Sequence, residues 1–365
     1  MSDQGVARGT GLPAPVRRAP YRGASYPGRR MTFALRVPIA LALLAAVPGP
    51  PLARFERVSQ EPALSPRGDG FESAGTFNPA VIATPEGIVM LYRAQDKSGT
   101  SRLGYASSAD GVHFRRLPKP VLSPEAPYEK DGGVEDPRLV KIDDSYYLTY
   151  TGYNKVDAQL CLAKSSDLLH WQRLGVIMPA NQGRWNVHWT KSGAILNQRV
   201  NGHYWMYFLG DARDGANQMG VAYSDDLVHW KEPLDHPILR LRPGRFDSKV
   251  VEPGPPPVLT PNGILLVYNG ADDKLVYRTG WALFDKARPD HLLARSQDAL
   301  FAPELPWEKQ GQVPNVVFVE GMLPFPVPIN QSLAWKPQQA WTFYYGGADQ
   351  RVGIAIAASS LSSVQ

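Results

Sequence analysis

Three copies of one short element constrain this chain more than anything else in it. Ala106–Phe114, Ala163–Trp171 and Ala222–Trp230 each run from an alanine through serine and aspartate to a histidine followed by an aromatic residue. Their alanines stand 57 and 59 residues apart, and fainter copies follow at Gly280–Asp285 and Gly353–Ala357. Units of this size, built from short strands with Gly, Pro and Asn turns, are the signature of propeller blades. Five units predict an all-β fold, a five-bladed β-propeller whose narrow funnel suits a small sugar.

The chain of 365 residues is long for one domain, but each blade needs its neighbours to bury its faces. An apolar content of 43% supplies the core. The formal charge of +5 does not imply a polyanion partner. Residues 1–54 hold eight arginines and one acid, which leaves about −2 for residues 55–365, so no nucleic acid is expected.

The basic leader reads as an export signal. Arg29 and Arg30 precede the apolar run Val37–Val47, and Pro51–Ala53 offers a small residue before a cut. Eleven apolar residues are too few to span a bilayer. The expected organisation is therefore an N-terminal extension over 1–30, a signal-like segment over 31–53 and a catalytic propeller over 54–365. This places the protein in the periplasm or outside the cell, or in the cytoplasm if the leader does not function. Cys161 is the one cysteine, so an internal disulfide and a Cys-based zinc site are excluded. His113, His170 and His229 recur before an aromatic residue, which argues for a blade role over metal ligation.

β-Branched and aromatic runs bounded by turn residues predict two strands per blade. Innermost strands are expected at Phe77–Ile82, Glu135–Val140, His188–Ile195, Val251–Val258 and Asn315–Gly321. Second strands are expected at Gly87–Arg93, Ser145–Thr151, His203–Phe208, Gly263–Tyr268 and Ala340–Tyr345. In this register the inner strands deliver Asn78, Asp136, Lys191, Glu252 and Glu320 to one rim. The second strands deliver Arg93, Asp211, Asp272 and Asp349 to the same place, or these aspartates cap turns instead. Prolines after Asn78, Asp136 and Glu252 remove backbone donors and suit strands beside an open funnel. His188 and Tyr150 are further candidates for sugar hydroxyls, with structural burial the competing reading. One of Trp185 and Trp189 is expected to stack on a sugar and the other to pack in the core.

Tyr92–Arg93, Gly133–Arg138, Tyr147–Thr151, Gly254–Pro257, Val313–Phe318 and Tyr344–Asp349 together resemble glycoside hydrolase family 130, the five-bladed mannoside phosphorylases and mannosidases. The resemblance runs from about Phe77 to Ala357 in the family's order. It implies that Asp136 is a general acid, protonating the leaving oxygen through a hydroxyl of the bound mannose, with inversion in one displacement. It also implies a division by attacking group. Phosphorylases hold phosphate with Arg, Lys and polar donors, whereas hydrolases use a carboxylate to activate water.

Both sets of residues are present here. Arg93, Arg138 and Lys191 match basic positions suited to a dianion. Glu252 and Glu320 instead repel phosphate and supply a general base. The expectation is an inverting β-mannosidase, β-1,2-linked manno-oligosaccharides favoured, with Asp136, Glu252 and Glu320 as catalytic residues. The alternative is a phosphorylase whose co-substrate is inorganic phosphate. No cofactor or metal is expected. A non-catalytic carbohydrate-binding propeller, a family 43-type hydrolase and a protein-interaction propeller rank behind these readings.

Overall fold

Alternating apolar residues and tight turns lay the chain out as strand after strand. The computed structural model describes residues 51–324 and 340–360. The expected extension and nearly all of the signal-like segment lie outside these described residues. Leu52 and Ala53 are joined to the end of the last described strand. Leu52 is fully buried and bridges Ser359, while the Ala53 N–H donates to the Ala358 carbonyl at 2.9 Å. A cut after Ala53 would therefore remove a buried residue.

After β1 (Glu56–Arg57) comes an antiparallel meander of β2 (Gly75–Thr84), β3 (Gly87–Gln95), β4 (Ser101–Ser108) and β5 (Arg115–Arg116). The next is β6 (Gly133–Ile142), β7 (Ser145–Tyr153), β8 (Ala158–Ser165) and β9 (Gln172–Met178). A further one holds β10 (Thr190–Ile195), β11 (Tyr204–Asp211), β12 (Asn217–Ser224) and β13 (Trp230–Lys231). In the following meander β14 (Val250–Pro253) and β15 (Val258–Thr260) both pair with β16 (Gly263–Ala271), which leads to β17 (Tyr277–Phe284) and β18 (Leu292–Arg295). Last come β19 (Val317–Leu323), β20 (Ala340–Gly347) and β21 (Arg351–Ala358), with β1 completing the edge. Helix is confined, among the described residues, to the turns Pro127–Glu129 and Pro306–Lys309.

The apolar clusters lie between consecutive meanders. Leu91 shares a cluster with Leu139 and Leu148, Leu162 with Met206, and Tyr207 with Leu266 and with Phe284, on which its ring stacks. Val267 meets Val319 and Phe343, and Tyr344 and Ile354 of the last meander pack on Met90 and Tyr92 of the first. Cys161 is a buried free thiol in the cluster that contains Tyr150.

The repeated element is a turn device. Asp110 Oδ1 accepts the N–H groups of Val112 and His113, and its Oδ2 lies 2.7 Å from His113 Nδ1. Asp167 and His170, and Asp226 and His229, repeat this arrangement at the same distances. The recurring histidines are thus held by their own turns.

A second repeat is invisible as a motif. Tyr92 donates to Glu72 at 2.8 Å, and Arg116 donates to the same carboxylate at 3.0 Å. Tyr150, Glu129 and Arg173 form the same cluster, at 2.8 and 2.9 Å, and Tyr345, Glu308 and Arg57 do so at 2.8 and 2.7 Å. Tyr268 and Arg242 both lie 2.8 Å from Asp247, which Arg295 also contacts. Each carboxylate is buried and shares its charge with an arginine, which makes its burial tolerable. Gly104 opposite Tyr92 gives the ring room, since a Cβ there would lie 2.2 Å from it. Tyr150 therefore belongs to the buried interior of its meander, and the expectation that it binds sugar is corrected.

Tyr150→Phe is expected to lower the unfolding free energy by about 1.5–3 kcal/mol, the range for a hydrogen bond to a charged group. Urea denaturation measures that loss, and an unchanged KM on the same preparation confirms that the hydroxyl does not meet substrate.

Candidate active site

The site is made by irregularity in the innermost strands. Side chains alternate faces in a regular strand, so Glu135 and Asp136 would point apart. Instead the pairing slips between Glu135 and Arg138, and Asp136 takes φ 50°. Such a bulge re-aims its side chains. Pairing also slips at Phe77/Pro79, Lys191/Ala194 and Val319/Gly321, with Asn78 at φ 49° and Ser192 at φ 58°. Asn and Asp tolerate this left-handed region better than most residues.

The slip brings both carboxylates to one guanidinium. Arg93 Nη1 donates to Asp136 Oδ1 at 3.0 Å and Nη2 to Glu135 Oε1 at 2.5 Å. Asn78 Nδ2 donates to the same Asp136 oxygen at 2.7 Å. Arg93 Nε rests on Ser101 Oγ at 3.0 Å, and its guanidinium lies 4.8 Å above the Phe77 ring. Burial alone would raise the Asp136 carboxyl, but the charges of Arg93, Lys191 and Arg138 hold it below the usual carboxylate range. Glu135 goes the other way, raised by burial and by the charge of Asp136 against the pull of Arg93.

Glu252 accepts a short hydrogen bond from Ser192 Oγ. Lys191 stands beside it. Burial opposes the Lys191 charge, but Glu252, Asp136 and Glu135 outweigh it and keep the ammonium protonated. Asp349, half-buried at φ 50°, loses hydration and is pushed up to about 6. Arg93 and Lys191 pull its carboxyl down, while Asp136 and Glu252 push it up. The Tyr277 hydroxyl is raised by burial and by the charges of Glu252, Asp349 and Asp136, which sets it at the same rim.

Asn78, Arg93, Asp136, Lys191, Glu252 and Asp349 are thus brought together as the sequence predicted. Asp211 closes β11 with Oδ1 buried and without a hydrogen-bond partner, its carboxyl raised by burial against the charge of exposed His188. Trp189 donates to the Val156 carbonyl at 3.2 Å and meets Tyr153 edge-on, while Trp185 packs against Phe208. Three expectations are corrected. Asp272 is a turn residue, accepting from Lys274 and Val276 and pairing with Arg278 at 2.7 Å, as Asp96 does with Arg102 at 2.6 Å. Arg138 does not face phosphate, because its Nε, Nη1 and Nη2 donate to the carbonyls of Gly254, Asp136 and Pro253. Glu320 does not suit a base. It is fully buried, neither oxygen accepts a hydrogen bond, and burial raises its carboxyl well above the usual range despite Arg138 3.1 Å away.

Glu135, Ser192 and Tyr277 went unassigned from sequence. A signal existed for Ser192: one polar residue in each innermost strand precedes proline or glycine, at Asn78–Pro79, Asp136–Pro137, Ser192–Gly193, Glu252–Pro253 and Glu320–Gly321. Among the described residues, no group of three or more His, Cys, Asp or Glu is placed to hold a metal ion.

Carboxylates and hydroxyls gathered around two cations on an all-β scaffold define a carbohydrate-active enzyme. The chain belongs to glycoside hydrolase family 130: the family model, described as beta-1,4-mannooligosaccharide phosphorylase, matches residues 65–361. It is 38% identical to a 1,2-beta-oligomannan phosphorylase of Thermoanaerobacter sp. (strain X514), over 84% of this chain and 97% of that protein. A beta-1,2-mannobiose phosphorylase of the same organism is 34% identical over 83% and 97%. Among solved structures, one is reported with the finding that this family of mannoside phosphorylases contains glycoside hydrolases that target beta-1,2 mannosidic linkages in Candida mannan. It matches at 34% identity with a TM-score of 0.73, covering 86% of this chain and 98% of that one. The protein is therefore an enzyme that acts on mannosides.

The pH dependence of stability tests the setting of Asp349. Its folded value of about 6 lies above the unfolded carboxylate value of about 3.9, so the folded state binds more protons between the two. The stability this linkage contributes is present below about pH 3.9 and lost as pH rises through about 6. Asp349→Asn should gain stability relative to wild type across that interval in urea titrations at each pH, and a constant difference would contradict the assignment.

Proposed function

We propose that the protein hydrolyses β-1,2-linked manno-oligosaccharides with inversion, on a five-bladed propeller whose blades are the meanders described above. The observation that carries this reading is the commitment of its arginines. Of the three basic residues offered for phosphate, Arg138 is spent on main-chain carbonyls and Arg93 on Glu135, Asp136 and Ser101. Lys191 remains, and it faces Glu252, Asp136 and Glu135. A dianion entering there meets several carboxylates at low dielectric, where repulsion is strong.

In this reading Asp136 is the acid. To act, Asp136 carries a proton when the sugar is bound. It gives that proton to a mannose hydroxyl as the hydroxyl gives its own to the leaving oxygen, and the proton that the base takes from water makes good the loss. Glu252 is the base, oriented by Ser192, with the Lys191 charge acting on both Glu252 and Asp136. Arg93 and Asn78 hold Asp136, and Asp349, Asp211 and His188 are placed for sugar hydroxyls. The apolar leader supports action outside the cytoplasm. Phosphorolysis to mannose 1-phosphate is the second reading, favoured by the phosphorylases at 38% and 34% identity.

Glu252→Gln is expected to lower kcat on β-1,2-mannobiose by about 10²–10⁴-fold, the worth of a general base, with Glu320→Gln far less affected. Sodium azide should rescue the Glu252 variant and yield α-mannosyl azide, because a small anion needs no base. The reverse ranking of the two variants would move the base to Glu320, and full activity in both would exclude base catalysis.

A further inference from the structure

Arg138 is among the largest fully buried side chains of the described residues, at 1% exposure, and besides its ion pair with Glu320 its nitrogens donate to the main chain. Its donors go to main-chain oxygens. Nη1 donates to the Asp136 carbonyl at 3.1 Å, Nη2 to the Pro253 carbonyl at 2.7 Å and Nε to the Gly254 carbonyl at 3.1 Å. These oxygens occur where the regular ladder fails. Asp136 lies in the pairing slip between Glu135 and Arg138, and β14 ends at Pro253 before Gly254 and a run of prolines. A buried carbonyl without a partner is costly, and one planar guanidinium serves three of them. The Glu320 carboxyl sits 3.1 Å from Nη1, and the Phe318 ring centroid lies 6.0 Å from the guanidinium carbon.

The residues on either side of these peptides are Asp136 itself and Glu252. We propose that Arg138 is a positioning residue, which sets the separation and orientation of Asp136 and Glu252 by pinning the main chain beside each. This rests on the reading of those two groups as acid and base. An inverting reaction depends on that separation, because the attacking water must fit between the base and the sugar face opposite the acid. A rigid fork fixes two peptide segments at once, whereas an ammonium on a flexible stem satisfies one oxygen at a time. The two extra rigid bonds are what an Arg-to-Lys change removes while the charge stays.

Arg138→Lys tests this on the full-length enzyme with β-1,2-mannobiose. A displacement of catalytic groups by about 1 Å costs about 10²-fold, so kcat should fall by about that factor while KM stays near the wild-type value. Circular dichroism and a melting curve establish that the variant is folded, and kcat is taken per folded molecule. Arg138→Gln, which keeps a planar donor and loses the charge, should retain more activity than the lysine variant. A raised KM with unchanged kcat would make Arg138 a substrate ligand and overturn the proposal. So would a lowered melting temperature with unchanged kcat, or failure of both variants to fold, since Arg138 would then hold the sheet assembly alone. The wild-type product is analysed in parallel: mannose 1-phosphate there would refute the acid–base reading itself, independently of what the variants do.

Discussion

The slip in pairing at the innermost strands is the constraint on which the site depends. With regular alternation, Glu135 and Asp136 would face opposite sides of β6, and Arg93 would reach one of them. Because Asp136 takes φ 50°, both carboxylates come within 3.0 Å of one guanidinium. The same irregularity at Ser192 aims its hydroxyl at Glu252. The backbone strain this entails is modest for Asp and Asn and is offset by the bonds it permits. The turns and the Tyr–carboxylate–Arg clusters lie outside that rim, and they keep the meanders stiff enough to hold it.

Charge bears next on the proposed chemistry. The rim mixes carboxylates with Arg93 and Lys191, but the arginine is already shared between Asp136 and Glu135. An anionic co-substrate must compete with those fixed partners, whereas a neutral sugar and a water need not. Relatives named as phosphorylases and a solved structure from work on β-1,2-specific hydrolases lie at comparable identity, so similarity alone does not rank the two reactions. The proposal of hydrolysis rests on the disposition of donors.

Much of this was legible in the sequence. The spacing of Ala106, Ala163 and Ala222 located the meanders, and the second strands were placed to within a few residues. Of the rim expected from sequence, Asn78, Arg93 and Asp136 are joined by hydrogen bonds, and the Lys191 charge acts on both Asp136 and Glu252. What the sequence hid is set by long-range geometry. Tyr150 looks like a free hydroxyl until Glu129 and Arg173 are seen around it. Arg138 looks like an anion ligand because its partners are main-chain oxygens of Pro253 and Gly254, more than a hundred residues away. Asp272 shares its turn chemistry with Asp96, a likeness carried by arginines six residues on in both cases. Lys191 drew attention from Ser192, since a charged residue is a louder signal than a serine before glycine.

The most direct test of the central claim is the product formed from β-1,2-mannobiose with and without inorganic phosphate, followed by proton NMR. The account predicts α-mannose as the first-formed anomer, at the same rate in both conditions, with water as the attacking group. Mannose 1-phosphate formed only when phosphate is present would contradict it, and would require Arg93 to leave Glu135 and Asp136 for the dianion.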